Sequence, residues 1–175
     1  CRLGIAFAGP GRPAVVFRNI FEGSIRDHAV MTFADPSTPG EIRRVSVDDW
    51  QISACPHQGP SLSISAAGTY HVTWYTNGKA RKGLFYARSK DGGATFSDPV
   101  QVGRSDRSPS RPFVIAGPHE LAMVWKEFDG AKVGQYQVGL TSRGTGRFLL
   151  DGRGFGQLRR GDGRPAGSHE RNQND

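Results

Sequence analysis

Three consecutive side chains, Arg26-Asp27-His28, carry the clearest potential for chemistry in this 175-residue sequence. An aspartic acid kept neutral by burial can donate a proton to a glycosidic oxygen, with a neighbouring imidazole holding it in place. The same triplet can equally be an Arg–Asp ion pair that holds a loop. Glu127, beside Lys126 and directly after Trp125, is the second candidate acid. A glutamate there can orient a nucleophile or bind hydroxyl groups, or simply pair with a cation in solvent.

Arginines are the other signal. Arg18, Arg26, Arg81 and Arg111, together with Arg2, fall in segments read as loops at one end of the strands. A guanidinium fork gives a carboxylate two parallel, charge-assisted hydrogen bonds, so converging arginines suit an anionic ligand. His28 and His57 lie in the same set of loops. Cys55 and His57, with Cys1 and His28, hold the residue types of a metal site, but Cys-x-His is not a usual zinc spacing. Neither a metal nor a cofactor is expected. Cys1 and Cys55 each precede a first strand, which makes a disulfide conceivable; buried thiols are the preferred reading.

What must position these groups is a β-structure. With 24 glycines, 11 prolines and 36% hydrophobic residues, the chain holds short bursts of Val, Ile, Thr and aromatics between turn clusters, the pattern of an all-β domain. One pattern recurs three times. First strands are expected at RLGIAFA (2–8), SLSISAA (61–67) and RPFVIAG (111–117), and second strands at AVVFRN (14–19), HVTWYT (71–76) and LAMVWKE (121–127). Third strands follow at 27–33, 83–89 and 136–142, and weaker fourth strands at 42–47, 99–102 and 147–150. Phe17, Trp74 and Trp125 fall in register as core residues between stacked units. The units span about 1–51, 52–103 and 104–150.

Between the third and fourth strands of the second unit lies SKDGGATF (89–96). Asp91 can fold back onto backbone N–H groups, Gly92 and Gly93 tolerate positive φ, and Phe96 can anchor the turn. Ser-x-Asp-x-Gly-x-Thr-Phe resembles the Asp-box, or BNR repeat, of the sialidase-type β-propellers. The third unit carries only an echo, SRGTGRF (142–148). The resemblance covers about residues 1–142 and implies a propeller fragment of about three four-stranded antiparallel blades, six when complete.

It further implies a scaffold role for Ser89, Asp91, Gly93, Thr95 and Phe96, on the face opposite the active site. The activity implied is that of an exo-acting sialidase-like glycoside hydrolase. Asp27 would be its acid and Glu127 a second catalytic group. Arg18, Arg26, His28, His57, Arg81 and Arg111 would bind an anionic sugar. The family carries Arg-Ile-Pro in an early blade where this chain has Arg18-Asn19-Ile20, and its nucleophilic tyrosine comes from later blades. The chain is therefore expected to be truncated and inactive alone, its open edge meeting missing blades or another chain. The alternative is a non-catalytic propeller that binds carbohydrate or protein.

Net charge is +7, and from residue 143 onward 7 arginines stand against 4 acids. So mild an excess selects no polyanionic partner, and one interleaved aromatic, Phe155, makes nucleic acid a poor fit. No run approaches the ~20 apolar residues of a membrane span. Residues 151–175 read as a disordered Arg/Gly-rich tail, consistent with a shifted reading frame that replaced later blades. The sequence opens on Cys in strand-like residues and reads as an excised or truncated piece. Compartment is not legible, although a secreted or extracytoplasmic setting is compatible with it.

Overall fold

The computed structural model describes residues 2–118, 120–128, 130 and 133–142. They form eleven strands in three antiparallel sheets, with no α-helix among the described residues. The first sheet is β1 (Gly4–Phe7), β2 (Pro13–Arg18), β3 (His28–Asp35) and β4 (Thr38–Arg44), in that order. The second is β5 (Ser61–Ile64), β6 (Tyr70–Asn77), β7 (Lys82–Ser89) and β8 (Val100–Val102). β9 (Ser110–Ala116), β10 (Glu120–Phe128) and β11 (Val133–Ser142) make the third. The fourth strand expected at 147–150 and the tail at 151–175 lie outside the described residues.

One strand sits away from its expected place. β4 begins at Thr38 rather than near Ile42 because the β3–β4 connection closes in two residues. Asp35 accepts the Ser37 N–H at 2.8 Å and so shapes the turn with its own side chain. The prolines and glycine of PSTPGEI read as loop, yet Pro39 pairs with Phe33 across register shifts. At Gly40 a Cβ would come within 2.9 Å of the Thr32 carbonyl oxygen, so the two strands approach where only glycine fits.

Two apolar clusters hold the three sheets together. Ala14, Val16 and Val30 of the first sheet meet Leu62, Val72 and Trp74 of the second. On the other side of the second sheet, Leu84 and Tyr86 meet Val114, Met123 and Trp125 of the third. The inner strands β1, β5 and β9 lie side by side. Backbone N–H groups of Val114 and Ala116 donate to the hydroxyls of Ser61 and Ser63 at 3.1 and 2.9 Å.

Trp74 and Trp125 are buried, at 0% and 1% exposure. Phe17 is only half-buried, which corrects the expectation of three equally covered aromatics. Its register is equivalent: Gly4 pairs with Val16 where Ser61 pairs with Thr73 and Phe113 with Val124, so the next residue is Phe17, Trp74 or Trp125. The difference is the neighbour, because this face of the first sheet has no described sheet packed on it.

The turn from Ser89 to Phe96 closes on itself. Asp91 accepts the Ser89 hydroxyl at 2.6 Å, the Thr95 N–H at 3.0 Å and the Thr95 hydroxyl at 2.5 Å. The Ser89 hydroxyl in turn accepts the Gly93 N–H at 2.8 Å. Gly93, at φ 91°, lies against Val30 and Thr32 of the first sheet, and Phe96 packs on the first apolar cluster. The hydrogen bonds from Ser89 and then Thr95 hold the Asp91 carboxyl well below the usual carboxylate range.

Candidate functional site

Antiparallel pairing sends the ends of β2, β6 and β10 and the starts of β1, β5 and β9 to the end of the sheets away from Asp91. All the expected site residues outside the Asp91 turn lie at that end. There they divide into groups locked inside the protein and groups open to solvent.

Asp27 belongs to the first kind. It has no exposed surface, and its carboxylate accepts the backbone N–H groups of Asp48, Asp49 and Trp50 at 3.0, 3.1 and 3.2 Å. Arg44 stands 3.8 Å away and stacks on Phe21. The 48–50 segment then docks on the second sheet, where Lys79 and Ala80 donate to the carbonyls of Asp49 and Asp48. Gly78 makes this possible, since a Cβ there would run into the Asp48 carbonyl. A proton donor must be reached by its substrate. Asp27 is instead the peg that holds a loop, with Arg44 rather than Arg26 as the facing cation, and full burial leaves the expected general-acid role without access for a substrate.

Asp48 is the second buried carboxylate, and it is not among the expected site residues. It accepts the Trp74 indole N–H at 2.7 Å, the Ser46 hydroxyl at 2.8 Å and the Arg81 guanidinium at 2.6 Å. Arg81 is therefore committed to protein, also donating to the Ser46 hydroxyl. Arg18, 8% exposed, donates to the carbonyls of Arg26, Tyr75 and Gln58 at 2.8, 2.9 and 3.3 Å. Its guanidinium stacks 4.4 Å from the Trp50 ring centre. Burial lowers its pKa to about 10. Arg18 thus joins the first and second sheets, and Arg18, Arg81 and His28 are not available to a ligand as the sequence reading expected.

His28 is fully buried beside Trp74, and neither ring nitrogen has a hydrogen-bond partner. Burial, then the Arg18 guanidinium, holds its pKa well below the ordinary 6.5. Above about pH 6.5 the imidazole is neutral in folded and unfolded chain alike. Below it, the unfolded chain takes up a proton that the folded chain refuses. Stability should then fall with pH, by up to about 1.4 kcal/mol per unit. Urea unfolding at pH 7.5 and 5.0 reads this, and His28→Leu should remove most of the difference. A difference of equal size in His28→Leu would assign the effect elsewhere, with the half-buried His71, also lowered by burial, the first suspect.

Glu127 repeats the Asp48 device in the third sheet. At 2% exposure, its Oε1 accepts the Trp125 indole N–H at 2.9 Å and the Arg104 N–H at 2.8 Å. Its Oε2 is buried without a partner. A glutamate so enclosed ties the third sheet to the loop leaving the second.

The open groups surround residues 57–59. The Gln58 side chain accepts the Arg111 N–H at 3.3 Å, and its carbonyl accepts from Arg18. Gly59 lies against Arg2 so closely that a Cβ would collide with it. Arg2, His57 and Arg111 are exposed, and Arg26 is half-buried with its Nε donating to the Ile52 carbonyl at 2.8 Å. Arg111 itself adopts φ 54°, a left-handed conformation unusual for a residue with a Cβ. Cys55 is exposed and disulfide-bonded, correcting the expectation of a buried thiol; Cys1 lies outside the described residues. Among the described residues no three His, Cys, Asp or Glu side chains converge as metal ligands.

Stacked antiparallel sheets with their inner strands side by side place the chain among distant sialidase-like β folds. It is similar to the Hadza microbial sialidase Hz136, at 19% identity and TM-score 0.50, over 79% of this chain and 34% of that one. It is also similar to a PL25 ulvan lyase solved bound to GlcA(1-4)Rha3S, at 12% identity and TM-score 0.42, over 78% of this chain and 36% of the other. The chain thus spans about a third of the length of each. No family model and no curated protein matches its sequence.

Proposed function

We propose that this chain is part of a sialidase-like glycoside hydrolase that binds an anionic sugar at the end of the sheets opposite Asp91. The observation that carries the reading is the set of cationic groups around Gln58. Arg111, His57 and Arg2 are solvent-exposed there, while the neighbouring Arg18 and Arg81 are consumed by the protein. A sugar carboxylate suits a guanidinium fork on this rim. Asp27 and Glu127 serve in this reading as scaffold beneath the site. The catalytic acid and nucleophile then come from outside the described residues, and residues 1–175 alone bind without turnover. The burial of both expected acids is what favours binding over hydrolysis by this chain.

Titration calorimetry with N-acetylneuraminic acid, glucuronic acid and neutral glucose tests this. The two acids should bind weakly and glucose not at all. Arg111→Ala should weaken acid binding about tenfold or more, as loss of a charge-assisted contact predicts. Equal binding of glucose, or indifference to Arg111→Ala, would remove the anionic-sugar assignment. Turnover of a fluorogenic sialoside by this chain, lost in a folded Asp27→Asn variant, would return the acid role to Asp27.

A further inference from the structure

Between the first and second sheets, at the Asp91 end, a cleft of about 350 Å³ opens beyond the apolar cluster. All eight strands of these two sheets are described, and both walls of the cleft belong to them. The space is there because the first sheet carries smaller side chains than the second. Strand register sets Ala14, Val30 and Thr32 where the second sheet has His71, Tyr86 and Arg88. Between the second and third sheets, His71 and Tyr86 occupy those positions and hydrogen-bond to each other at 2.8 Å. Glycine keeps one lip of the cleft low: Gly92, at φ 70°, has nothing within 4 Å of where a Cβ would stand.

Two groups on the walls carry donors without acceptors. The Arg12 guanidinium folds back over its own turn, where a Cβ at Gly9 would lie 2.7 Å from Nη2. It makes one long bond, 3.3 Å, to the Ala8 carbonyl and pairs with no carboxylate among the described residues. On the second-sheet wall is Tyr70, 4% exposed, whose hydroxyl makes no hydrogen bond among the described residues. Burial raises its pKa and the Arg12 charge opposes the rise, so the phenol is a neutral donor near the guanidinium. Asp35, next to Ala34 on β3, is already taken up by the Ser37 N–H and the Thr38 side chain. Much of the remaining lining is apolar, with Ala8, Phe33 and Pro39.

We propose that this cleft binds a small organic carboxylate with an apolar body, the Arg12 fork and the Tyr70 hydroxyl taking the carboxylate and the apolar lining taking the body. A guanidinium offers a carboxylate two parallel, charge-assisted hydrogen bonds, and a phenol adds a third donor. The volume lies near the lower end of the ~300–1,000 Å³ usual for small-molecule sites, which suits a single ring rather than a chain of sugars or amino acids. The cleft is at the opposite end of the sheets from Arg111 and His57, and it stands independently of the anionic-sugar reading.

The test is a titration of the full 175-residue chain with benzoate, followed by amide chemical shifts, with acetate and benzyl alcohol as its charged and apolar halves. Benzoate should shift the Gly40 and Gly92 amides saturably and bind about tenfold or more tighter than either half. Arg12 and Ala34 are exposed, so substitutions there should leave circular dichroism unchanged. Arg12→Gln should weaken benzoate binding about tenfold or more, and Tyr70→Phe, which keeps the buried ring, about fivefold. Ala34→Trp should block the cleft and abolish the shifts. Arg111→Ala, at the other end, should leave benzoate binding unchanged, which separates this site from the sugar site. Absence of saturable shifts at Gly40 and Gly92 would overturn the proposal. So would acetate or benzyl alcohol binding as tightly as benzoate, or wild-type binding by Arg12→Gln or Ala34→Trp.

Discussion

Asp27→Ala should destabilise the fold by about 3–5 kcal/mol, the range for removing one partner of a buried charged interaction. That is a large share of the roughly 5–15 kcal/mol by which a domain of this kind is stable. The substitution leaves three backbone N–H groups, those of Asp48, Asp49 and Trp50, without their acceptor. It also leaves Arg44 without the carboxylate it faces. Urea unfolding measures the loss, and hydrogen exchange should show the 48–50 amides opening first. Asp27→Asn should fall between the two, because an amide oxygen keeps an acceptor but loses the charge. An Asp27→Ala chain as stable as wild type would show that the loop is held by something else, and would reopen a purely chemical role for the residue.

Trp74→Ala is expected to cost a similar amount, about 3–5 kcal/mol, for a different reason. The ring is 0% exposed and sits in the apolar cluster between the first and second sheets, so truncation leaves a cavity in a joint rather than in one sheet. Trp74→Phe separates the two parts of the effect. It keeps an aromatic ring but removes the indole N–H from Asp48, at a cost of about 1–3 kcal/mol for a buried acceptor left short of a donor. If Trp74→Phe is neutral in thermal unfolding, the Asp48 contact contributes nothing and packing alone holds the joint.

Strands and turns were legible where the signal is local. Alternation along β2 and β10, and the Ser-Asp-Gly-Thr chemistry of residues 89–96, depend on neighbours a few positions away. β4 starts earlier than its sequence suggests because the Asp35 side chain, accepting the Ser37 backbone N–H, outweighs the loop-like appearance of two prolines and a glycine. At the candidate site the residues were found but their exposure was not. Arginine in a loop reads as solvated or ligand-binding, and nothing in Arg18 or Arg81 tells that Tyr75, Gln58 and Asp48 will meet them from 33 to 57 residues away. Asp48 and Trp50, in SVDDW, were missed for the same reason. A tandem acid ahead of a tryptophan, at the exit of a fourth strand, was the available clue.

The two serine hydroxyls of β5 have a consequence for how this chain avoids joining others wrongly. A strand at the margin of a sheet offers a row of unsatisfied amides, which is a template for another chain to extend the sheet. Along β9, Ser61 and Ser63 take up the Val114 and Ala116 amides from the side. They occupy the places that an invading strand would need while adding no strand of their own. The inner edge of β9 is thus closed to sheet extension at two of its amides by hydroxyl groups of the neighbouring sheet.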